Sequence, residues 1–191
     1  MEPGAWFPFL SRRATACCVA IGCCGIGGGT AAAKTFATRE VALQRAFGTE
    51  AEIERRTAFL TPAELDSARA LAAAPIAAAR VSYHEASRGD SLLGRAYLDT
   101  HPVRNEYETI LIIVSPAGET QRVEILAFDE PEDYLPPARW LQTLTHRSLS
   151  RRLRPGDAVD AISGATLSAR AATEAVRRVL ALDRILHGSR R

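Results

Sequence analysis

The chain has 191 residues, 47% hydrophobic and 24% charged, so it is long enough to bury a core. Its formal net charge is only +2, which argues against nucleic acid as a partner. All four cysteines lie near the N-terminus, at Cys17, Cys18, Cys23 and Cys24. From residue 25 onward the sequence therefore excludes disulfides, thiol nucleophiles and cysteine-ligated metal centres.

Residues 1–37 are predicted to form a leader that directs export. Arg12 and Arg13 precede an uncharged, small-residue apolar stretch over residues 14–33, whose last four residues resemble a cleavage site. This layout is typical of a secretory signal peptide. A retained N-terminal membrane anchor is the alternative, because a membrane span needs about 20 apolar residues. Both predict a protein in the periplasm or on the outer face of the cytoplasmic membrane, and the anchor adds membrane association through the N-terminus.

Two further export patterns overlap this leader. Residues 11–13 (Ser-Arg-Arg) are similar to the start of a twin-arginine signal, and residues 20–23 (Ala-Ile-Gly-Cys) are similar to a lipoprotein cleavage box. The neighbouring residues fit both patterns less well than they fit the plain signal peptide. Either pattern would also leave the mature domain outside the cytoplasm.

Local patterns divide residues 38–187 into helices and strands. Thr61 and Glu64 form a capping box around Pro62, which predicts the start of a helix. Consecutive apolar residues at 110–114 predict a strand that is covered on both faces. The predicted helices are 38–47, 62–74, 138–144 and 167–187, and the predicted strands are 53–60, 80–86, 92–99, 109–114 and 122–128.

The last four predicted strands are separated by short turns, including those at residues 87–90 and 116–119. This spacing predicts an antiparallel meander. We expect helices against one face of the sheet, which gives the α+β class: an antiparallel sheet of at least four strands packed against helices, with a long C-terminal helix. No repeat or linker divides the pattern, so we predict one domain over residues 38–187 and a tail over 188–191.

The segment from Asp160 to Thr166 carries the clearest chemical signal. It reads Asp-Ala-Ile-Ser-Gly-Ala-Thr and opens the last predicted helix. Backbone N–H groups converge at a helix N-terminus, and they favour a phosphate there. Gly164 permits a tight turn, and Ser163 is predicted to cap the helix or to hydrogen-bond a phosphate.

This segment resembles the flavinylation motif of the FMN-binding domain family (Asp, two residues, Ser or Thr, Gly or Ser, Ala, Thr). In that family the last Thr carries FMN through a phosphoester bond. The resemblance therefore implies covalent FMN, taken from FAD by a flavin transferase and attached to Thr166. The other motif residues that the resemblance assigns to the cofactor site are Asp160, Ser163, Gly164 and Ala165.

The resemblance extends over roughly residues 53–186. It is closest to stand-alone envelope members, and more distant to the flavin subunits of sodium-pumping NADH–quinone reductase and of the Rnf complex. One position departs from the pattern: Leu167 follows the reactive Thr, where the family often has Ser or Thr. The implied partners are the flavin transferase and redox proteins of the envelope or membrane.

Three residues outside the motif are candidates to contact the flavin. His101 and Arg104 leave a predicted strand, and Arg104 suits an anion or a flavin carbonyl. For His101 a plain surface turn is an equal alternative. Tyr134 lies in a proline-rich segment that can form one side of a site for the flavin ring. Trp140 can stack on this ring or belong to the core.

The sequence supports two functions from different classes. The first is an electron-transfer flavoprotein of the cell envelope, an electron carrier or oxidoreductase subunit that needs no acid/base machinery of its own because the redox chemistry belongs to the cofactor. The second is a non-catalytic binding, assembly or redox-sensing module of a membrane respiratory complex. Covalent flavin on Thr166 separates the first from a purely structural module.

Overall fold

A six-stranded antiparallel sheet is the centre of the computed structural model, which describes residues 34–188. The strands of this part of the chain are β1 (Lys34–Thr35), β2 (Glu52–Phe59), β3 (Arg80–Arg88), β4 (Ser91–Pro102), β5 (Tyr107–Val114) and β6 (Thr120–Phe128). Their order in the sheet is β1-β6-β5-β4-β3-β2, and every neighbouring pair is antiparallel. The predicted meander of β3 to β6 is confirmed, and β1 and β2 form its two edges.

The middle strand β5 is covered on both faces, as its apolar run predicts. Ile110, Ile112 and Val114 belong to the main core cluster, which also contains residues of the C-terminal helix. Leu111 and Ile113 point the other way into a second cluster. The alternation of strand side chains sends successive residues to opposite faces, so a continuous apolar run requires two covering layers.

The described part of the chain has four α-helices. They are α1 (Arg39–Phe47), α2 (Pro62–Ala72), α3 (Ala138–Leu141) and α4 (Thr166–His187), with short 3₁₀ turns at Glu132–Tyr134 and Gln142–Leu144. The α+β class and the long C-terminal helix are therefore confirmed.

The prediction that the helices lie against one face is wrong. Helix α4 contributes Ala172, Val176 and other small residues to the main cluster on one face. Helix α1 packs Leu43 and Phe47 against Leu111 and its neighbours on the opposite face. Burying that second apolar face of the sheet requires α1, and the hydrophobic effect favours this burial by about 25 cal/mol for each Å².

Helix α2 starts as its capping box predicts. The Thr61 hydroxyl accepts a hydrogen bond from the Glu64 amide at 3.3 Å, and the Glu64 carboxylate accepts one from the Thr61 amide at 2.8 Å. The helix ends at Ala73, whose φ of 44° is left-handed. Ala68 and Ala72 then share a cluster with Ala181, so small residues bring α2 close to the second half of α4.

The predicted leader lies mostly outside the described residues. The structure does not describe residues 1–33, which contain the signal-peptide, twin-arginine and lipoprotein patterns. It also does not describe residues 189–191 of the tail. Residues 34–35, which we assigned to the leader, pair with β6 as strand β1, and the Phe36 amide donates to the Leu126 carbonyl. Over residues 34–188, none of the helices combines the length and apolarity that a membrane crossing requires.

We expect Gly94→Ala to destabilise the domain by about 1–3 kcal/mol, because an added methyl group overpacks a closed site. A Cβ at Gly94 would lie 2.8 Å from the Val114 carbonyl oxygen and 3.4 Å from the Phe47 ring. Urea unfolding measures the change, with the exposed Ser91→Ala on the same strand as control. Equal midpoints for the two variants would show that the sheet and α1 can move apart at this position.

Candidate functional site

A loop held by the core presents the Asp160–Thr166 segment. The Trp140 indole N–H donates to the Asp160 carbonyl oxygen at 2.7 Å, and Trp140 itself is buried in the main core. Ile162 packs against the same core. The ends of the segment are thus fixed to rigid elements, which is what a precisely placed reactive group requires. Of the two roles predicted for Trp140, stacking on the ring or belonging to the core, the structure confirms the core.

Thr166 is the first residue of α4, and its side chain is exposed. Its hydroxyl donates to the Ile162 carbonyl oxygen at 2.9 Å, so the lone pairs of Oγ1 stay open to an incoming group. Gly164 has a φ of +87°, in the left-handed region that glycine adopts without strain. The glycine of the motif therefore makes the turn that brings Thr166 onto the helix.

Ser163 does not cap α4, so the first of its two predicted roles is wrong, and a hydrogen bond from Ser163 to a phosphate stays a prediction. The helix starts one residue earlier than predicted, its N-cap is Ala165, and no side-chain oxygen caps the first turn. No acidic residue lies in that turn either. The N-terminal amides and the positive end of the helix dipole are consequently left to favour an anion beside Thr166.

Thr166 opens into a cleft of about 430 Å³ that follows one face of α4. A cleft of this size is within the range of small-molecule sites, which is ~300–1,000 Å³. Residues of α4 at positions 166, 170, 173, 174 and 177 line it, a spacing that keeps them on one side of the helix. The other wall consists of Ala73, Leu153, Arg154 and Pro155.

Three arginines make this cleft basic. Arg170 and Arg154 are exposed at its surface, and Arg177 is buried, with 3% of its surface exposed. Glu174 is the acidic lining residue, and it accepts a hydrogen bond from Arg170 at 2.9 Å. Burial lowers the pKa of Arg177, as does the positive charge of Arg154, while Glu174 acts in the opposite direction. The cleft therefore suits a ligand with both negative charge and apolar surface.

The predicted residues Arg104 and Tyr134 meet in a separate arrangement. The Arg104 guanidinium lies over the Tyr134 ring, 4.4 Å from its centroid. The loop that carries Arg104 is held by Glu130, whose Oε1 accepts hydrogen bonds from the backbone amides of Arg104, Asn105 and Glu106 at 2.7–3.1 Å. Neither Arg104 nor Tyr134 lines the cleft at Thr166. Their contact with a flavin stays a prediction.

His101 is buried in a charged network rather than exposed on a turn. Its Nδ1 lies 2.8 Å from Asp99 Oδ1, and its Nε2 lies 3.0 Å from Oε1 of the fully buried Glu108. The second contact is within ion-pair distance but lacks hydrogen-bond geometry. Arg178 of α4 donates to both Asp99 oxygens. His101 lines a different cleft from Thr166, so the structure does not bring these two predicted residues together.

The charges in this network shift two pKa values. Burial opposes the charged form of His101, but the carboxylates of Asp99 and Glu108 outweigh it and raise its pKa. Burial likewise opposes the charge of Asp99, but hydrogen bonds from His101 and Arg178 lower its pKa to about 2. The four groups therefore alternate in sign, which compensates the buried charge of Glu108.

We expect part of the stability of the domain to disappear as pH rises above neutrality. The pKa of His101 in the folded protein is raised above its ordinary value of 6.5. The charged His101 therefore stabilises the fold fully at pH values below 6.5, and this stabilisation disappears as the pH rises through the folded pKa. Chemical unfolding from pH 5 to 9 measures the loss. His101→Gln removes this pH dependence, whereas the exposed His146→Asn keeps it. Identical profiles for the wild type and His101→Gln would contradict the assignment.

Sequence reasoning missed the basic cleft. Arg170 and Arg177 follow Thr166 at intervals of 4 and 11 residues, and a helical wheel places them on the same side of the helix as Thr166. The helical spacing was therefore a sequence signal for these two arginines. Arg154 carries no such signal, because only the tertiary fold brings the loop before the motif against α4.

Part of the chain is similar to a known protein family. Residues 105–181 match the family model described as the FMN-binding domain. The matched region runs from just before β5 into α4, so it includes the motif and the three arginines of the cleft but not His101 or Arg104. No curated protein and no solved structure matches the chain.

Proposed function

Since residues 105–181 of this chain match the FMN-binding domain family, we propose that the protein is an electron-transfer flavoprotein of the cell envelope, with FMN attached by a phosphoester bond to Thr166. The observation that carries the attachment site is the exposed Thr166 hydroxyl, which lies at an uncapped helix N-terminus. The envelope location follows from the predicted leader.

The residues around Thr166 fit FMN. The first amides of α4 and Arg170 provide hydrogen-bond donors and positive charge for a phosphodiester, which is permanently anionic. Leu153, Pro155 and Ala73 provide apolar wall, and buried Arg177 provides donors farther along the cleft. FMN in this position would supply the electron-transfer chemistry, and the domain would hold and orient it.

The attachment step is a phosphoryl transfer. Thr166 Oγ1 forms a bond to the flavin phosphorus of FAD, and the pyrophosphate bond breaks to release AMP. The hydroxyl proton passes to a base on the flavin transferase. Thr166 meets the geometric needs of this step because its side chain is exposed and the adjoining Gly164 and Ala165 are small. The neighbouring Leu167 is half exposed, so it faces an approaching enzyme rather than the core.

The test is co-expression of the full chain with and without a flavin transferase. With the transferase, we expect yellow protein, a fluorescent band that survives denaturing electrophoresis, and an intact mass higher by one FMN phosphoester. The same mass reports whether the leader is cleaved, lipidated or retained. A colourless product from a transferase that modifies a known substrate would favour a non-catalytic assembly module instead.

A further inference from the structure

Arg177 is a buried guanidinium with unpartnered donors. Only 3% of its surface is exposed, and its Nε and Nη2 have no hydrogen-bond partner among the described residues. Glu174, one turn earlier, bonds Arg170 instead. A buried charge without a partner destabilises a fold, so such a group is retained where a ligand completes it.

The two unpartnered nitrogens form one edge of the guanidinium. Nε–H and Nη2–H point in parallel, and together they make the two-donor fork that binds planar anionic groups. Arg177 lines the cleft that Thr166 opens, so a ligand of that cleft is the candidate partner for this fork.

The position of Arg177 separates it from the attachment point. It follows Thr166 by 11 residues on the same helix face, which is about 16 Å along the axis at 1.5 Å per residue. Helical side chains lean toward the helix N-terminus, and Thr166 lies in that direction from Arg177. Arg170 is only one turn from Thr166 and is the nearer partner for a phosphodiester. Arg177 therefore belongs to the far part of the cleft.

We propose that Arg177 binds the N1–C2=O edge of the flavin ring and thereby favours the reduced cofactor; this rests on the proposed attachment at Thr166. Reduction places negative charge on that edge of a flavin, and protein charge near N1 tunes the potential. A planar two-donor fork pairs better with this anionic edge than with the neutral oxidised one. Arg177 is thus a cofactor-binding residue that raises the midpoint potential.

The variants Arg177→Met and Arg177→Lys test the proposal, with Arg184→Met as control because Arg184 is exposed on the same helix outside this cleft. Each full-length protein is co-expressed with the transferase, and denaturing gels report attachment while anaerobic titration reports the potential. We expect all three to keep the covalent band. We expect Arg177→Met to favour the reduced flavin about tenfold less than the wild type does, which lowers the midpoint potential by about 30 mV for a two-electron couple. The midpoint potential of Arg177→Lys should lie between those of Arg177→Met and the wild type. Arg184→Met keeps the wild-type potential.

A second measurement uses the wild type alone and does not depend on any variant folding. The flavin stays attached to the unfolded chain, so a fold that favours the reduced form is stabilised by reduction. We expect dithionite-reduced holoprotein to melt at a higher temperature than oxidised holoprotein. Equal melting temperatures, or a covalent band with an unchanged potential in Arg177→Met, would overturn the role of Arg177 and leave the proposed function intact. Absence of the band in the wild type would overturn both.

Discussion

We expect Thr166→Ala to lose all covalently bound flavin while the domain stays folded. Thr166 provides the oxygen of the proposed phosphoester, and alanine has no atom that can replace it. The structural effect is small, because the Thr166 side chain is exposed and its single side-chain hydrogen bond goes to a local carbonyl. In-gel fluorescence after denaturation and intact mass measure the loss, and circular dichroism checks the fold.

Two control variants separate the hydroxyl from the shape of the loop. Ser163→Ala removes an exposed hydroxyl three residues away and leaves the proposed acceptor in place, so we expect it to keep the flavin. Thr166→Ser keeps a hydroxyl at the same position and retains the band. A covalent band in Thr166→Ala would place the attachment elsewhere, and loss of the band in Ser163→Ala would show that the transferase reads the loop through Ser163.

The fold was predictable where local pattern and tertiary structure agree. The capping box at Thr61 and the apolar run in β5 each predict their element from neighbouring residues alone, and the structure confirms both. The position of α1 was not predictable in this way. Its short apolar stripe is compatible with either face of the sheet, and only the need to cover Leu111 and Ile113 decides between them.

The candidate site likewise has a part that the local sequence predicts and a part that depends on the tertiary fold. Thr166 and Gly164 belong to a contiguous motif, so the sequence alone predicts the helix start to within one residue, and also the turn before it. The cleft depends on Arg177, whose burial is not local: it looks like a solvent-facing position of an amphipathic helix, yet it is buried. Asp183, outside this cleft on the same helix, is buried in the same unexpected way. A sequence pattern reports the period of a helix, but it does not report which neighbours cover its polar side.

We expect Asp183→Ala to destabilise the domain by about 3–5 kcal/mol, because it removes the nearer carboxylate from the buried Arg95 and leaves Glu85, at 3.7 Å, as the remaining ion-pair partner. Asp183 Oδ1 accepts a hydrogen bond from Arg95 at 3.0 Å and another from the Tyr97 hydroxyl at 2.9 Å. All three residues are buried between the sheet and the last turns of α4. Burial raises the pKa of Tyr97, and the Asp183 carboxylate raises it further, so the tyrosine stays a neutral donor.

Urea unfolding at neutral pH distinguishes this loss from an ordinary ion-pair effect. Asp157→Ala is the matched control, since Asp157 pairs with the exposed Arg152 and such surface pairs contribute at most about 1 kcal/mol. Pairing Asp183→Leu with Arg95→Met should recover much of the stability, because the double variant buries no unpaired charge. If Asp183→Ala is no worse than Asp157→Ala, water reaches Arg95 in the folded state. A large loss with recovery in the double variant would show that the loss comes from an unpaired buried charge between the sheet and the C-terminal end of α4, at the opposite end from the hydroxyl at Thr166.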